Sequence, residues 1–429
     1  MLEGYKKRNS RKTWYKKPRS FWLLSFIICV LGCESLLEVE PPDRISADDL
    51  ENPASAELQT ISTVASFECA LAEYITTTGE VGDEFINTNL RSSQAFEFDA
   101  RSVPADQENY ALFDCGNFNA IYLPLSVALT QADETLGRLE GWSETDVSNI
   151  TDLTATIRAY GGYARVLLGE SFCTAAINLS AELTPEQIFG QAEEWFTKAM
   201  TLANQAGNDA IFNMALVGRA RARRNLGNDS GALSDAKLVP EDFVIDAQYN
   251  TADNRTMNTI YRACGYTNFV SVDPRFRNLE YEGVADPRVQ AEDSGMLGTG
   301  RQFEVWWQQK YTSLSSPIPI ASWKEAQLII AEIELGQSAV DIINTFHAEN
   351  NIPLYDASGL SDQEILAHVI QERSRELFLE GHRFWDIRRF EVPFDPPVGA
   401  AYPKGGYYGD MRCFPLPNVE RNNNPNIPS

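Results

Sequence analysis

The sequence has little that could carry catalysis or hold a metal. Histidine occurs three times in 429 residues, at His347, His368 and His382, and no H-E-x-x-H motif includes any of them. The chain also lacks a G-x-S-x-G nucleophile motif, a P-loop and a G-x-G-x-x-G sequence behind a strand. We therefore expect a protein that is not an enzyme and that has no metal site and no cofactor.

Basic residues are also scarce. The 36 Lys and Arg face 60 Asp and Glu, a net charge of −24, and eight of the basic residues lie within positions 1–32. Without that segment the net charge is −31. Nucleic-acid binding depends on Lys and Arg that neutralise phosphates, so this balance excludes a nucleic-acid partner. It also argues against adsorption onto anionic lipid.

Long apolar runs are missing apart from one near the start. Residues 21–31 contain a single polar residue, Ser25, and follow a strongly basic stretch. A membrane-spanning helix needs about 20 apolar residues, so this run fits the apolar region of a signal peptide instead. It ends in Val30-Leu31-Gly32-Cys33, which resembles a lipobox. We predict a signal peptide over 1–32 and lipidation of Cys33; an ordinary signal peptide with an incidental cysteine is the alternative.

We expect the mature chain to divide into an acidic tether, residues 33–52, and a single domain, residues 53–429; the alternative is that the acidic segment forms the first packed loop. Five cysteines follow Cys33, and none lies in a C-x-x-C pair, which disfavours a zinc site. We expect one or two disulfides with at least one cysteine left over, and their connectivity stays open. These five cysteines are Cys69, Cys115, Cys173, Cys264 and Cys413.

Apolar residues at three- and four-residue spacing predict a mostly α-helical fold. We expect helices over residues 53–78, 120–138, 151–168, 322–335 and 339–350, the third interrupted at Gly161-Gly162. The longest predicted helix opens at a capping box beginning with Ser361 and runs to about Phe390. Residues 303–311 fit a short strand or extended segment, and the tail beyond residue 392 is rich in Pro, Gly and Asn.

Residues 184–240 give the clearest architecture. Thr184, Pro185 and Gln187 form the start of a capped helix, and a turn at Gly207-Asn208 leads into a second one. Small residues along both helices allow close approach, as in tetratricopeptide repeats. Pro240 arrives too early for a complete repeat, and no second clean copy is present.

Several segments, taken together, resemble the RagB/SusD family of outer-membrane lipoproteins. They are QERSRELFLEGHRFWDIRRF at 371–390, ASWKEA at 321–326, CFPLP at 413–417 and ERNNNP at 420–425, together with the lipobox and the segment after it. The acidic residues Glu34, Glu38 and Glu40 also resemble the surface-export signals of such lipoproteins.

The resemblance implies a SusD-like fold: a tetratricopeptide-type helical scaffold with an irregular, loop-rich part, and a C-terminal SusD-type region at about residues 300–429. It implies a surface-exposed lipoprotein of the outer membrane that captures an oligosaccharide or peptide nutrient. The partner would be a TonB-dependent, SusC-type β-barrel, on which the protein acts as a lid. The alternative is a helical-repeat lipoprotein for protein–protein interaction or adhesion, without a small ligand.

Glu372, Glu376 and Glu380 recur every four residues in the longest predicted helix. A carboxylate cluster for acid–base catalysis is one interpretation. Arginines three or four residues away favour the other, a row of ion pairs in which each carboxylate stays ionised. The neighbouring arginines are Arg373, Arg375 and Arg383.

Aromatic residues in the irregular segments, with polar neighbours, are the candidates for ligand binding. Core packing is the competing interpretation for each of them. Of the two adjacent tryptophans, alternation along a strand predicts that one is buried and the other is free. The candidates are Asp83, Phe85, Asn87, Tyr110, Trp142, Trp306 and Trp307.

Overall fold

The structure is a computed structural model that describes residues 47–89 and 95–428. The predicted signal peptide, Cys33 and most of the predicted tether lie outside the described residues. The described residues from Leu50 onward form one compact unit. Within the described part of the chain, no helix combines the length and hydrophobicity needed to cross a bilayer.

Helices account for most of the regular structure. In chain order they are α1 (Ala47–Leu50), α2 (Ala56–Val81), α3 (Phe96–Asp99), α4 (Glu108–Leu112), α5 (Tyr122–Gly141), α6 (Ile150–Ser171), α7 (Pro185–Ala206), α8 (Asp209–Asn225), α9 (Asp229–Ala236), α10 (Thr259–Tyr261), α11 (Trp323–Glu334), α12 (Gly336–Glu349), α13 (Asp362–Glu376), α14 (Arg383–Arg389) and α15 (Asn418–Asn423).

Short strands form two-stranded antiparallel pairs: β1 with β3, β2 with β8, β4 with β5 and β6 with β7. Their bounds are β1 (Phe85–Asn87), β2 (Val244–Ala247), β3 (Val270–Val272), β4 (Glu280–Tyr281), β5 (Val284–Ala285), β6 (Ala291–Leu297), β7 (Glu304–Gln308) and β8 (Ile318–Ser322). The predicted mostly helical class is confirmed, and so is a strand within 303–311.

The helical scaffold is built by α2 and α5 to α9, each packed on its neighbours. The capping box at Thr184 is present, since its hydroxyl accepts from the Gln187 amide and the Gln187 side chain accepts from the Thr184 amide. The short helix α9 has eight residues and ends before Pro240.

Gly161 and Gly162 do not interrupt α6, which corrects the expectation of a break. A Cβ on Gly161 would lie 2.3 Å from the Trp195 ring, and one on Gly162 would lie 2.7 Å from the Phe196 ring. The glycines therefore make room for two aromatic side chains of α7, and the packing gained outweighs the low helix propensity of glycine.

The helix predicted to run to Phe390 is instead two helices. The capping box at Ser361 is present, but α13 ends at Glu376 and α14 begins at Arg383. Leu379 and Gly381 between them have φ values of 56° and 81°, in the left-handed region. A Cβ on Gly381 would lie 2.7 Å from the Tyr74 ring, so this turn lets α2 approach closely.

The three glutamates of this region do form ion pairs, but with partners from other elements. Glu372 binds Arg288 at 2.6 Å, Glu376 binds Lys324 at 2.5 Å and Glu380 binds Lys310 at 2.5 Å. The helix break explains this, because Glu380 is no longer on the helix face of the other two. Burial raises the pKa of Glu380, and the neighbouring ammonium group of Lys310 opposes that rise.

Two disulfides join Cys69 to Cys115 and Cys173 to Cys413, and Cys264 is buried as a free thiol. This confirms the expectation of one or two bridges with a cysteine left over. The second bridge attaches the irregular C-terminal segment to the end of α6. Next to this disulfide, Phe172 and Phe414 form an isolated parallel β-bridge.

Candidate ligand-binding site

A cleft of about 660 Å³ opens in the loop-rich part of the molecule. One wall is the layer of β1 and β3, a second is the β6–β7 hairpin, and a third is the segment around residues 395–408. The hydroxyl of Ser271 joins the first two walls, because it accepts from the Trp306 amide at 2.8 Å and donates to the Glu304 carbonyl at 3.0 Å.

The lining combines apolar surfaces with charged and amide groups, the composition of a small-molecule site. The apolar side is made by Ile86, Pro274, Phe303, Pro396 and Tyr408. The polar side is made by Asp273, Arg275, Arg277, Gln302, Glu304 and Asp395. Phe303 is half-buried, and Gln302 and Glu304 beside it are exposed, so the hairpin wall presents a ring and two polar groups to the solvent.

Two arginines are held in place at the floor of the cleft. Arg275 donates to the Asp83 carboxylate at 2.5 Å and also to the backbone carbonyl of Asp395. Arg277 donates to the Val272 carbonyl at 2.9 Å and lies over the Trp306 ring, 5.3 Å from its centroid. Fixed guanidinium groups suit the recognition of hydroxyl or carboxylate oxygens.

Asp273 gives the cleft a group that titrates near neutrality. Burial raises its pKa to about 7, although it accepts a hydrogen bond from the Arg275 amide at 2.9 Å. The carboxyl can thus serve as a donor or as an acceptor close to neutral pH.

The structure buries four of the seven candidates that the sequence suggested. Asp83, Phe85, Asn87 and Tyr110 are almost inaccessible to solvent, which corrects their assignment as ligand contacts. Alternation explains the two residues on β1: Ile86 faces the cleft, so Phe85 and Asn87 face the opposite side.

Their burial has identifiable partners. Asp83 is paired with Arg383 at 3.0 Å as well as with Arg275, and the Asn87 amide donates to Glu80 at 2.9 Å. Tyr110 stacks on Phe414, with ring centroids 5.8 Å apart. Asp83, Phe85 and Asn87 thus support the cleft from behind, and none of the four residues lines it.

The three tryptophans are half-buried, and none lines the cleft. Trp142 packs on a separate apolar cluster between α5 and α6. Trp306 lies beneath Arg277, and the Trp307 indole donates to Asn268 at 2.8 Å. The prediction that one of the adjacent pair is buried and the other free is wrong, because the hairpin covers each of them in part.

Sequence reasoning missed most of the residues that do line the cleft. Phe303 is the first residue of the segment predicted as a strand, and this position was the one signal in the sequence that could have pointed to it. Arg275, Arg277 and Tyr408 lie in short irregular segments whose spacing carries no pattern, and only the tertiary fold brings them together.

Comparison with known proteins identifies the fold. The chain superposes on a SusD-like carbohydrate-binding protein from Bacteroides vulgatus with a TM-score of 0.65 and 14% identity, covering 88% of this chain and 97% of that one. A laminarin-binding SusD-like protein gives a TM-score of 0.66 at 15% identity, covering 88% and 98%. A SusD-like protein from Bacteroides fragilis gives 0.66 at 12% identity, covering 90% and 98%.

At the level of sequence, residues 325–427 match the model of the SusD family. No curated protein matches the sequence significantly. The chain therefore has a SusD-like fold over most of its length, and residues 325–427 carry the sequence pattern of the SusD family. The resemblance drawn from the sequence is confirmed.

Proposed function

We propose that this protein is a surface-exposed lipoprotein of the outer membrane that captures a glycan or peptide nutrient in the cleft between β1–β3 and the β6–β7 hairpin. The observation that carries the proposal is this cleft, set in the irregular part of a SusD-like fold and lined by an accessible aromatic ring among fixed arginines and carboxylates. Two of the structural relatives are described as carbohydrate-binding and laminarin-binding.

The chemistry of the cleft suits a carbohydrate. The C–H face of a sugar ring stacks on Phe303, while Arg277, Gln302 and Glu304 bind its hydroxyl groups. Arginine and carboxylate side chains would also bind the ends of a short peptide, so a peptide is the second ligand class. Neither use requires a covalent step, in keeping with the expectation of a binding protein.

Lipidation of Cys33 would hold the protein at the membrane. The lipobox and the acidic residues after it support this part of the proposal. The two disulfides fit an oxidising compartment outside the cytoplasm. The partner we propose is a TonB-dependent, SusC-type β-barrel, on which the protein acts as the lid that delivers the ligand.

Ligand capture is tested with the purified protein on a glycan array and, by calorimetry, with laminarin, with the glycans retained by the array and with a peptide mixture. Phe303→Ala should weaken binding at least tenfold. Leu297→Ala is the matched control, since Leu297 lies in the same hairpin, is 58% exposed and does not line the cleft. Equal affinity of the Phe303→Ala variant and the unaltered protein would remove the cleft from the proposal.

The lid model is tested by affinity purification of the tagged protein from detergent-solubilised outer membranes. A large β-barrel protein should co-purify at a one-to-one ratio. If no barrel is recovered and no small ligand binds, the helical-repeat alternative, an interaction or adhesion lipoprotein, is favoured instead.

A further inference from the structure

Two of the three histidines meet a glutamate inside the C-terminal region, which the sequence did not anticipate. His347 is on α12, and His368 and Glu372 lie one turn apart on α13. The Nε2 atom of His347 lies 3.2 Å from Oε1 of Glu372, and Nε2 of His368 lies 3.8 Å from the same oxygen. All three ligand atoms lie within 4.8 Å of one another.

None of these three converging atoms has a hydrogen-bond partner among the described residues, although all are buried. A buried polar atom without a partner is costly, so three at one point call for an explanation. A direct ion pair would align a ring N–H with the carboxylate oxygen, but the His347 ring and Glu372 do not meet in hydrogen-bond geometry. Side chains that coordinate a single metal ion lying between them have this arrangement.

The proton on the His347 ring can be placed. Its Nδ1 atom lies 2.6 Å from the carbonyl oxygen of Pro353. A carbonyl only accepts, so Nδ1 carries a proton, and in the neutral ring the lone pair is then on Nε2, on the side of Glu372. A backbone carbonyl that fixes the tautomer in this way is typical of metal-binding histidines.

The other two side chains are also held by their surroundings. The second oxygen of Glu372, Oε2, accepts from Arg288 at 2.6 Å, and Arg288 is itself bound to Asp286 at 2.7 Å. This leaves Oε1 directed at the histidines. The His368 ring stacks on Tyr355 with centroids 3.8 Å apart. Restraint of this kind on each ligand is what a preorganised metal site needs.

We propose that His347, His368 and Glu372 bind a divalent transition-metal ion of the zinc class, through two imidazole nitrogens and one carboxylate oxygen. Zinc bonds of about 2.0–2.2 Å in a tetrahedron place neighbouring ligand atoms about 3.3–3.6 Å apart, close to the two separations measured here. The fourth position takes water. The His368 side chain is 14% exposed and gives the ion a route from solvent. This site does not depend on the ligand cleft.

The test is calorimetric titration of the chelator-treated protein with Zn²⁺, paired with the absorption spectrum of the Co²⁺ form. One ion should bind per chain with a Kd in the micromolar range or below, and Co²⁺ should give the visible bands of a four-coordinate site. His368→Gln should weaken Zn²⁺ binding at least a hundredfold, and because His368 is partly exposed this variant should still fold.

Asp341→Asn is the matched control, since it removes an exposed carboxylate from α12 without touching the three ligands. It should bind Zn²⁺ as the unaltered protein does. Absence of stoichiometric binding would overturn the proposal. Binding of equal strength in the His368→Gln variant would also overturn it, because the ion would then lie elsewhere.

Discussion

At the scale of single residues, the interior carries carboxyl groups that are not matched by enough positive charge. Glu73, Glu80 and Glu84 are buried on or just after α2, and burial raises the pKa of each to about 8. Each accepts hydrogen bonds from amides or hydroxyls, which soften the cost of burial without removing it. These residues therefore make stability depend on pH.

Glu80 allows this dependence to be measured. Its two oxygens accept from the amides of Asn119 at 2.7 Å and Asn87 at 2.9 Å. Because its folded pKa lies above the unfolded value of 4.5, its contribution is complete below pH 4.5 and is lost as the pH rises through about 8. Glu80→Gln should remove that loss, which amounts to at most about 1.4 kcal/mol of unfolding free energy per pH unit.

The measurement is urea unfolding of both proteins at pH 5.5, 7.0 and 8.5. The Glu80→Gln variant should gain stability relative to the unaltered protein as the pH rises. Glu134→Gln, which removes an exposed carboxylate on α5, should keep a constant difference. A constant difference for Glu80→Gln as well would show that Glu80 does not titrate in this range.

The same scale shows why the candidate site was only partly predictable. The sequence located β1 as a segment with aromatic and polar residues, but register alone decides that Ile86 and not Phe85 faces the cleft. His368 and Glu372 share a helix face by their spacing, but His347 reaches them from another helix. The spacing of residues along the sequence therefore predicts neither the side chain that faces the cleft nor the approach of His347 to the other two residues.

At the scale of elements, the helices were predictable because caps and periodicity agree. Thr184 and Ser361 cap their helices as expected. The break after Glu376 was not predictable, because the apolar residues Leu377 and Phe384 on either side of it are seven positions apart, a helical spacing. Tertiary packing of Gly381 against Tyr74 overrides that local preference.

Close packing between helices gives a prediction at this scale. A Cβ on Gly218 of α8 would lie 2.4 Å from the Phe196 ring and 2.9 Å from the Tyr163 ring, and both rings are fully buried. Gly218→Ala should therefore lower the free energy of unfolding by about 1–3 kcal/mol through overpacking. Chemical denaturation measures the change.

Gly190 on α7 is the control, since a Cβ there meets nothing within 4 Å. Gly190→Ala should raise the free energy of unfolding by roughly 0.4–1 kcal/mol, because alanine favours the helix and restricts the unfolded chain. If both substitutions stabilise the protein, the aromatic rings beside Gly218 can move aside and the packing argument fails.

At the scale of the whole molecule, segments far apart in the chain are joined without long regular elements. β1 pairs with β3 across about 180 residues of sequence, and the C-terminal segment attaches to the end of α6. Hydrophobic periodicity cannot predict such pairings, because it reports only local structure. The entropy of closing a long loop does not identify the partner either, since it depends only weakly on the length of the loop. The resemblance in the C-terminal motifs, rather than local pattern, anticipated this architecture.

Backbone hydrogen bonds and an ion pair help to attach the C-terminal segment. The Phe414 amide donates to the Ser171 carbonyl at 2.8 Å, and the Cys173 amide donates to the Phe414 carbonyl at 2.9 Å. Arg421 pairs with Glu182 at 3.1 Å further along. Between these contacts the segment has little regular structure. We therefore expect the disulfide between Cys173 and Cys413 to contribute much of its attachment.

Removing that disulfide should therefore destabilise the whole molecule. It closes a loop of 240 residues, whereas the Cys69–Cys115 disulfide closes one of 46. The double variant Cys173→Ser/Cys413→Ser should lose roughly 2–4 kcal/mol of unfolding free energy, measured by denaturation under non-reducing conditions.

Because loop-closure entropy grows with the logarithm of loop length, the control variant Cys69→Ser/Cys115→Ser should lose about 1.5 kcal/mol less. The first variant should also be cut by protease between residues 393 and 411 sooner than the second, since this stretch between α14 and α15 contains no helix. A larger loss from the shorter loop would mean that the contacts of Phe414 and Arg421, and not the covalent bond, hold the C-terminal segment in place.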